Sequence, residues 1–572
     1  MAGVYHSILS WSLLLLSLVK TRAFYFSGAT CYSRGHPVQE ERRDGDFLLT
    51  KENDDNVAPL NTDDIYNTVF GLYIHIPYCR RRCRYCSFAI VPIGSKVQTE
   101  FEFTDGNDGT GTSSMTQGFL EMDQSYRKTL LQEINLLRNE RNQQGQDHQP
   151  IILTSLYFGG GTPSLAPLET IQAVLDALLV TDDKDEATPL FVLAENSEIS
   201  VEMDPGTFSL QKLKALQKMG FNRISLGVQS FDDTILESIG RVHRKQDVMD
   251  AIEMIQTVFG DDDQTRDEEV TVNYSIDLIS GLPGLTHATW AETLETAVAL
   301  KPRPTHISLY DLQVETGTVF GKWYGNNDSD DDDSQALPSR ETRGSPPIQT
   351  RSQLSSTGIV AALPSEEDCA SMYKYASGYL KTKGYEHYEV SSYAYVGSSV
   401  GGDGNSDKSK SFEKRNRSQH NQIYWSVNGN WFALGLGATS FVNGKMTARP
   451  RTLVDYSKWV DQQTRKSQQE SKESDTIDKM DFLTDVIMKR LRTSDGLDLD
   501  WISDNYGRDC LGKVMKGASL GLDLGLMVVN GAVQDAEHIS HGTLSLTDPD
   551  GFLYSNNLIS SIFVELGDFQ DC

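Results

Sequence analysis

The sequence predicts an α/β fold: a partial barrel of six strand–helix units, followed by a C-terminal α-rich domain. Three observations carry this expectation. Short apolar segments with strand character alternate with longer segments of helical periodicity from residue 71 to about residue 312. A cysteine-rich loop follows directly on the first of these strands, at the end where barrels place their chemistry. After about residue 365 the alternation stops and a helix-dominated pattern takes over.

The expected strands are Leu72–Ile76, Thr154–Phe158, Ile199–Met203, Arg223–Val228, Val272–Ile279 and His306–Leu312. Between them lie helical patterns. Gln124–Glu140 sets Leu130, Leu131, Ile134 and Leu137 on one face, and Leu168–Leu179, Leu210–Met219, Val248–Phe259 and Trp290–Leu300 behave alike. Strand alternating with helix implies parallel strands joined by right-handed crossovers. Further on, a helix at Glu366–Lys383 leads into the Tyr-rich segment Tyr385–Tyr395. A last helical region begins near Lys479, with Phe482, Leu483, Val486, Ile487 and Leu491 on one face, and a β-like piece follows at Gly542–Leu553. Gly94–Gln117, Thr181–Asn196, Asp261–Glu269, Gly325–Gly358 and Val396–Ser418 read as polar, disordered insertions. The expected organisation is a leader at 1–60, a barrel at 61–320, an acidic and Ser-rich insertion at 321–365, a barrel extension at 366–465 and a helical domain at 466–572.

A net charge of −28, with no basic stripe outside the cysteine loop, argues against nucleic-acid binding. The four cysteines outside that loop, Cys31, Cys369, Cys510 and Cys572, are scattered singly and do not look like a disulfide framework. A reducing compartment is expected. The apolar run Ile8–Val19 is too short to span a bilayer and reads as a signal peptide with a possible cut before Phe24. The Ser- and Arg-rich stretch Phe24–Arg43 then resembles the second part of a two-part plastid presequence. Plastid stroma is the expected location, with the mitochondrion as alternative and plain secretion as the simpler reading. No other segment is apolar enough to cross a membrane.

Cys79-Arg80-Arg81-Arg82-Cys83-Arg84-Tyr85-Cys86 carries the most chemistry. Thiolates are soft ligands that suit iron–sulfur clusters or zinc. Three of them leave one iron of a four-iron cluster open to a non-protein ligand. A zinc site instead closes with four protein ligands, and His75 is available as the fourth. The four arginines suit an anionic cluster; their plainer reading is a solvated basic loop.

Other polar residues sit at the ends of successive strands. Gly159-Gly160-Gly161-Thr162-Pro163 closes the second strand, where glycines let backbone approach a ligand. Ser200, Glu202 and Asp204 alternate on one face of the third. Gln229 ends the fourth, Arg241 follows it, and Asp277 lies in the fifth. Polar groups in apolar strands are costly to bury unpaired. One alone reads as a satisfied core group; three at consecutive strand ends read as a ligand site.

In this order, the cysteine loop, Gly-Gly-Gly-Thr-Pro-Ser, Gly-Val-Gln-Ser-Phe, Gly-Arg-Val-His and Ile-Asp-Leu-Ile-Ser-Gly-Leu-Pro resemble the radical S-adenosylmethionine (SAM) enzymes. More narrowly, they resemble the family of oxygen-independent coproporphyrinogen III oxidase and the HemW-type heme chaperones. The resemblance spans about residues 70–565. It implies that Cys79, Cys83 and Cys86 hold a [4Fe-4S] cluster whose open iron chelates the methionine part of SAM. Tyr73 and Tyr85 would flank cluster and cofactor. Gly160, Gly161 and Thr162 would hold the amino end, with Glu202, Gln229, Arg241 and Asp277 around the methionine and ribose. It also implies a reductant such as ferredoxin or flavodoxin and cleavage of the sulfonium to a 5′-deoxyadenosyl radical.

Two features choose within the family. The oxidase carries a further cysteine where this chain has Phe88. His420-Asn421-Gln422-Ile423-Tyr424-Trp425 matches the H-N-x-x-Y-W heme motif of HemW-type proteins, which makes His420, Asn421, Tyr424 and Trp425 candidate heme contacts. Without the resemblance, such a histidine reads as a packed core residue. The expectation is a heme chaperone that binds heme, cluster and SAM and passes heme to an acceptor hemoprotein. The alternative is oxidative decarboxylation of coproporphyrinogen III.

Overall fold

Apolar residues at every second position build the central sheet. In β1 (Val69–Ile76), Leu72, Ile74 and Ile76 are fully buried on one side, while Gly71, Tyr73 and His75 face the other. The same alternation runs through β2 (Ile151–Gly160), β3 (Phe191–Met203), β4 (Arg223–Gln229), β5 (Tyr274–Ser280) and β6 (His306–Asp311). In this computed structural model the described residues are 69–95, 97, 114–143, 149–180, 189–260, 272–325, 361–397, 416–466, 479–531 and 542–567. The leader, the acidic run after Gly325 and most of the expected insertions lie outside them.

The six strands are parallel and adjacent in chain order, as an open barrel requires. Crossover helices α1 (Ser114–Gln143), α2 (Leu168–Leu179), α3 (Leu210–Lys218), α4 (Lys245–Phe259) and α5 (His287–Ala299) cover the apolar face. Local sequence fixes their starts. Ser209 accepts a hydrogen bond from the Lys212 amide at the head of α3, and Thr286 caps α5 in the same way.

Five more strands extend the sheet to eleven. α6 (Glu366–Thr382) leads to the antiparallel pair β7 (Tyr385–Glu389) and β8 (Ser392–Tyr395), and β8 joins β6. At the other end, α7 (Gln419–Trp425) precedes β9 (Gly429–Leu434), which lies parallel to β1 with Gly429 opposite Val69. β10 (Thr439–Val442) and β11 (Lys445–Ala448) complete that edge. Past α8 (Leu453–Lys466), helices α9 (Lys479–Arg490), α10 (Leu499–Asp523) and α11 (Ser555–Gly567) enclose a second apolar core, with Leu483, Val486, Ile487 and Leu491 inside as their spacing requires.

Three insertion boundaries shift. α1 begins at Ser114, inside the stretch read as loop. β3 begins at Phe191, because Phe191, Val192 and Leu193 pair with β2 ahead of a register shift; Asn196 lies in the left-handed region, and this polar bulge masks the strand in the sequence. Ser418 is buried and caps α7 by accepting from the Asn421 amide.

Glu133 of α1 fastens the β9 edge. Its carboxylate accepts hydrogen bonds from Arg449 Nε (2.7 Å), the Gly435 amide (2.9 Å) and the Tyr456 hydroxyl (2.6 Å), all well buried. Removing one partner of such a network strands the rest. Glu133→Ala is expected to lower the unfolding free energy by about 3–5 kcal/mol in denaturant melts, and Glu133→Gln, which keeps an acceptor, by less.

Candidate functional site

The polar face of the barrel strands and the loops beyond their C-terminal ends frame the site. Cys79, Cys83 and Cys86 are free and half-buried in the loop after β1. The Cys86 amide donates to the Cys83 carbonyl, which turns the loop back on itself. Cys79 Sγ lies 3.7 Å from the Thr162 hydroxyl, and Cys83 Sγ lies 3.8 Å from Arg241 Nη1. Three soft sulfurs beside a hydroxyl and a guanidinium form a donor set that fits an anionic iron–sulfur cluster.

His75 does not join them. It is buried, its Nε2–H donates to the Ala89 carbonyl (2.8 Å), and its Nδ1 accepts from the Tyr73 hydroxyl (3.1 Å). Burial pulls its pKa down to about 4. The fourth ligand that a closed zinc site would take from His75 is thus committed elsewhere.

The loop arginines act as staples. Arg81 Nε donates to the Gly240 carbonyl (2.6 Å), and Arg81 Nη2 to that of Arg241. Arg82 reaches the carbonyls of Cys86, Phe88 and Ile90, and Arg84 that of Ser238 (2.5 Å). Arg80 bonds the Ser95 carbonyl (3.0 Å). Their positive charge stays near the cysteines, yet their contacts are structural.

The Gly-rich loop comes within contact of the cysteine loop. Gly160 has φ +116°, and a Cβ on Gly161 would lie 2.6 Å from the Pro77 and Tyr78 carbonyl oxygens, so glycine is required at both. The Gly160 amide donates to Glu202 Oε2 (2.9 Å), and the Tyr157 hydroxyl to Glu202 Oε1 (3.0 Å). Burial lifts the Glu202 carboxyl to about 7; the Gly160 amide partly offsets this, and nearby Asp277 and Asp204 add to it. Asp277, which accepts from Ser225 (3.4 Å), is raised by burial to about 6. Gln229 has φ +65°, uncommon for a residue with a Cβ, at a register shift between β4 and β5. Burial also raises Tyr85 well above its ordinary value, next to Cys83 and Arg241.

Two residues outside the expected set tie the site together. Asp204 accepts from Thr162 (3.1 Å) and from Arg241 Nη2 (2.5 Å), which also bonds the Gly227 carbonyl (2.7 Å). Tyr157 stacks on Tyr73 with centroids 6.1 Å apart. The period-2 alternation that singles out Glu202 also points to Asp204, and Tyr157 stands two residues before Gly159 on the same face.

The structure divides the four heme-motif residues. His420 is 2 % exposed and points into the barrel. Its ring stacks on Tyr157 (4.9 Å between centroids), Nδ1 pairs with Ser155 Oγ (2.7 Å) and Nε2 with the Tyr424 hydroxyl (2.8 Å). Burial lowers its pKa to about 3, so the ring is neutral. His420 and Tyr424 therefore form part of the floor beneath Tyr73, Tyr157 and Glu202. Asn421 and Trp425 are half-buried, and Trp425 faces a cavity at the base of the barrel. No helix among the described residues is long and apolar enough to cross a membrane.

Residues 73–297 match the family model of the radical SAM superfamily, which implies a [4Fe-4S] cluster and SAM. A protein named heme chaperone HemW from Synechocystis sp. is 31% identical over 503 residues, covering 86% of this chain and 96% of that one. HemW from Escherichia coli is 25% identical over 67% of this chain and 73% of its own. A Bos taurus protein named radical S-adenosyl methionine domain-containing protein 1, mitochondrial, is 27% identical over 64% of this chain and 60% of its own. Coproporphyrinogen III oxidase (HemN) from E. coli shares the fold, with a TM-score of 0.56 at 18% identity over 86% of this chain and 90% of that one. With the cysteine loop, the Gly-rich loop and the strand-end carboxylates assembled at one barrel mouth, and a relative of this identity matched along nearly its whole length, the chain belongs to the HemW family of the radical SAM superfamily.

Proposed function

We propose that this protein is a heme chaperone that holds a [4Fe-4S] cluster and SAM at the barrel mouth and passes heme to an acceptor hemoprotein. The observation that carries the reading is α7: the H-N-x-x-Y-W motif forms an ordered helix built into the barrel, in a chain whose HemW relatives bear the name heme chaperone. Phe88, half exposed where the oxidase has a cysteine, weighs against the decarboxylase. Purified protein is expected to take up heme, seen as a Soret shift, and to release it to an apo-hemoprotein. No spectral change would end the reading. Vinyl product on anaerobic incubation with coproporphyrinogen III, reductant and SAM would favour the oxidase instead.

On this reading Cys79, Cys83 and Cys86 hold the cluster. Asp204 positions Thr162 and Arg241 against their sulfurs. When bound, cluster and SAM supply a one-electron donor beside a sulfonium. The protein's part is to orient them and exclude water. The Cys79/Cys83/Cys86 triple serine variant is expected to lose iron and acid-labile sulfide together; full retention in an anaerobic preparation overturns the assignment.

Glu202 and the Gly160 carbonyl side of the loop would receive the ammonium end of SAM, with Gln229 and Asp277 toward the ribose. A bound cation favours the ionised carboxylate. Since Glu202 sits near 7 in the free protein, SAM affinity is expected to rise as pH climbs from about 6 to about 7.5. Calorimetry with wild type and Glu202→Gln checks this: the variant's profile should be flatter. For the ligand-free fold the sign is opposite. A carboxyl held above its ordinary value contributes stability at low pH and loses it as pH rises toward 7.

A further inference from the structure

A second opening lies at the far end of the barrel from the cysteines. It is a cavity of roughly 330 Å³, within the size range of small-molecule sites. Thr154, near the start of β2, lines it, whereas Gly160 at the other end of that strand belongs to the cofactor site. Six residue steps along the strand separate the two, about 20 Å at ~3.3 Å per step. The walls come from the barrel base, from Tyr388 of β7, from the outward side of α7 with Gln422 and Trp425, and from the end of α9 with Arg490 and the turn after it with Asp495.

Its chemistry is specific. Trp425 offers a flat apolar ring. Of the three charged groups on the lining, Arg417 and Arg490 are cationic and Asp495 is anionic. Arg417 is committed: it is paired with Glu386, and its Nη1 lies 3.1 Å from Asp495 Oδ1. Arg490 is less so. Its Nε donates to the Gly496 carbonyl (3.0 Å), while its Nη1 is 4.0 Å from Asp495 Oδ2, beyond hydrogen-bond length. A guanidinium held by Nε still presents the N–H fork that binds a carboxylate through two parallel bonds. A flat ring beside such a fork fits a planar aromatic ligand carrying carboxylate arms.

We infer that this basal cavity receives the tetrapyrrole, with Trp425 against the ring and the Arg490 fork on one propionate. The inference rests on the heme-chaperone reading and adds to it the place and the anchor. It also accounts for the division of the motif: His420 and Tyr424 face the cofactor floor, while Gln422 and Trp425 face the cargo. No contact between His420 and iron is required.

The test uses full-length protein with its cluster reconstituted anaerobically. Soret titrations compare heme with heme dimethyl ester on wild type, Arg490→Gln and Arg490→Lys. Loss of a charge-assisted fork should weaken heme binding in Arg490→Gln about tenfold to a hundredfold. Lysine, which keeps the charge without the fork, should recover part of this. Wild type should bind the ester more weakly by a similar factor, and Arg490→Gln should lose little more with the ester. Equal affinity of wild type for heme and ester overturns the inference without recourse to any variant, and so does heme binding unchanged in Arg490→Gln. Wild type that takes up no heme removes the chaperone reading itself.

Discussion

The carboxylate of Asp204 joins the pieces that surround the cysteines. It draws Thr162 from the Gly-rich loop and Arg241 from the segment after β4 to one point. Each of these reaches a different sulfur, Cys79 or Cys83. Arg241 is tied in turn to the Gly227 carbonyl, and its own carbonyl accepts from Arg81 of the cysteine loop. Three loops distant in sequence are therefore referenced to the end of β3. A charge-assisted bond from a guanidinium this buried is strong and directional.

The barrel itself was legible because its periodicities are long and clean. The six strands and five crossover helices fall within a few residues of where the period-2 and helical patterns put them, apart from the early starts of α1 and β3. β9 was not legible. It is six residues long, flanked by glycine, and its partner β1 lies at the other end of the chain; pairing of that kind leaves no local signature. The Tyr-rich segment similarly resolves into β7 and β8 only against the edge offered by β6.

At the site, residue types with few other uses were readable: cysteines at close spacing, consecutive glycines, acids in strands. Tyr157 was not, since a tyrosine in a strand is ordinary until its hydroxyl is seen on Glu202 and its ring on His420. His420 shows the converse limit. Its motif marks it out, but sequence gives no direction for the ring. Burial among Ser155, Tyr157 and Tyr424 decides that it faces the barrel.

On the cluster assignment proposed above, the arginine staples bear on how iron would arrive. Because Arg80, Arg81, Arg82 and Arg84 grip main-chain oxygens, the cysteine ribbon holds its bend by contacts that involve no metal. An incoming centre would then spend little of its binding free energy on ordering backbone. Oxidative loss of the inorganic core should then leave the ribbon folded, ready for repair in place.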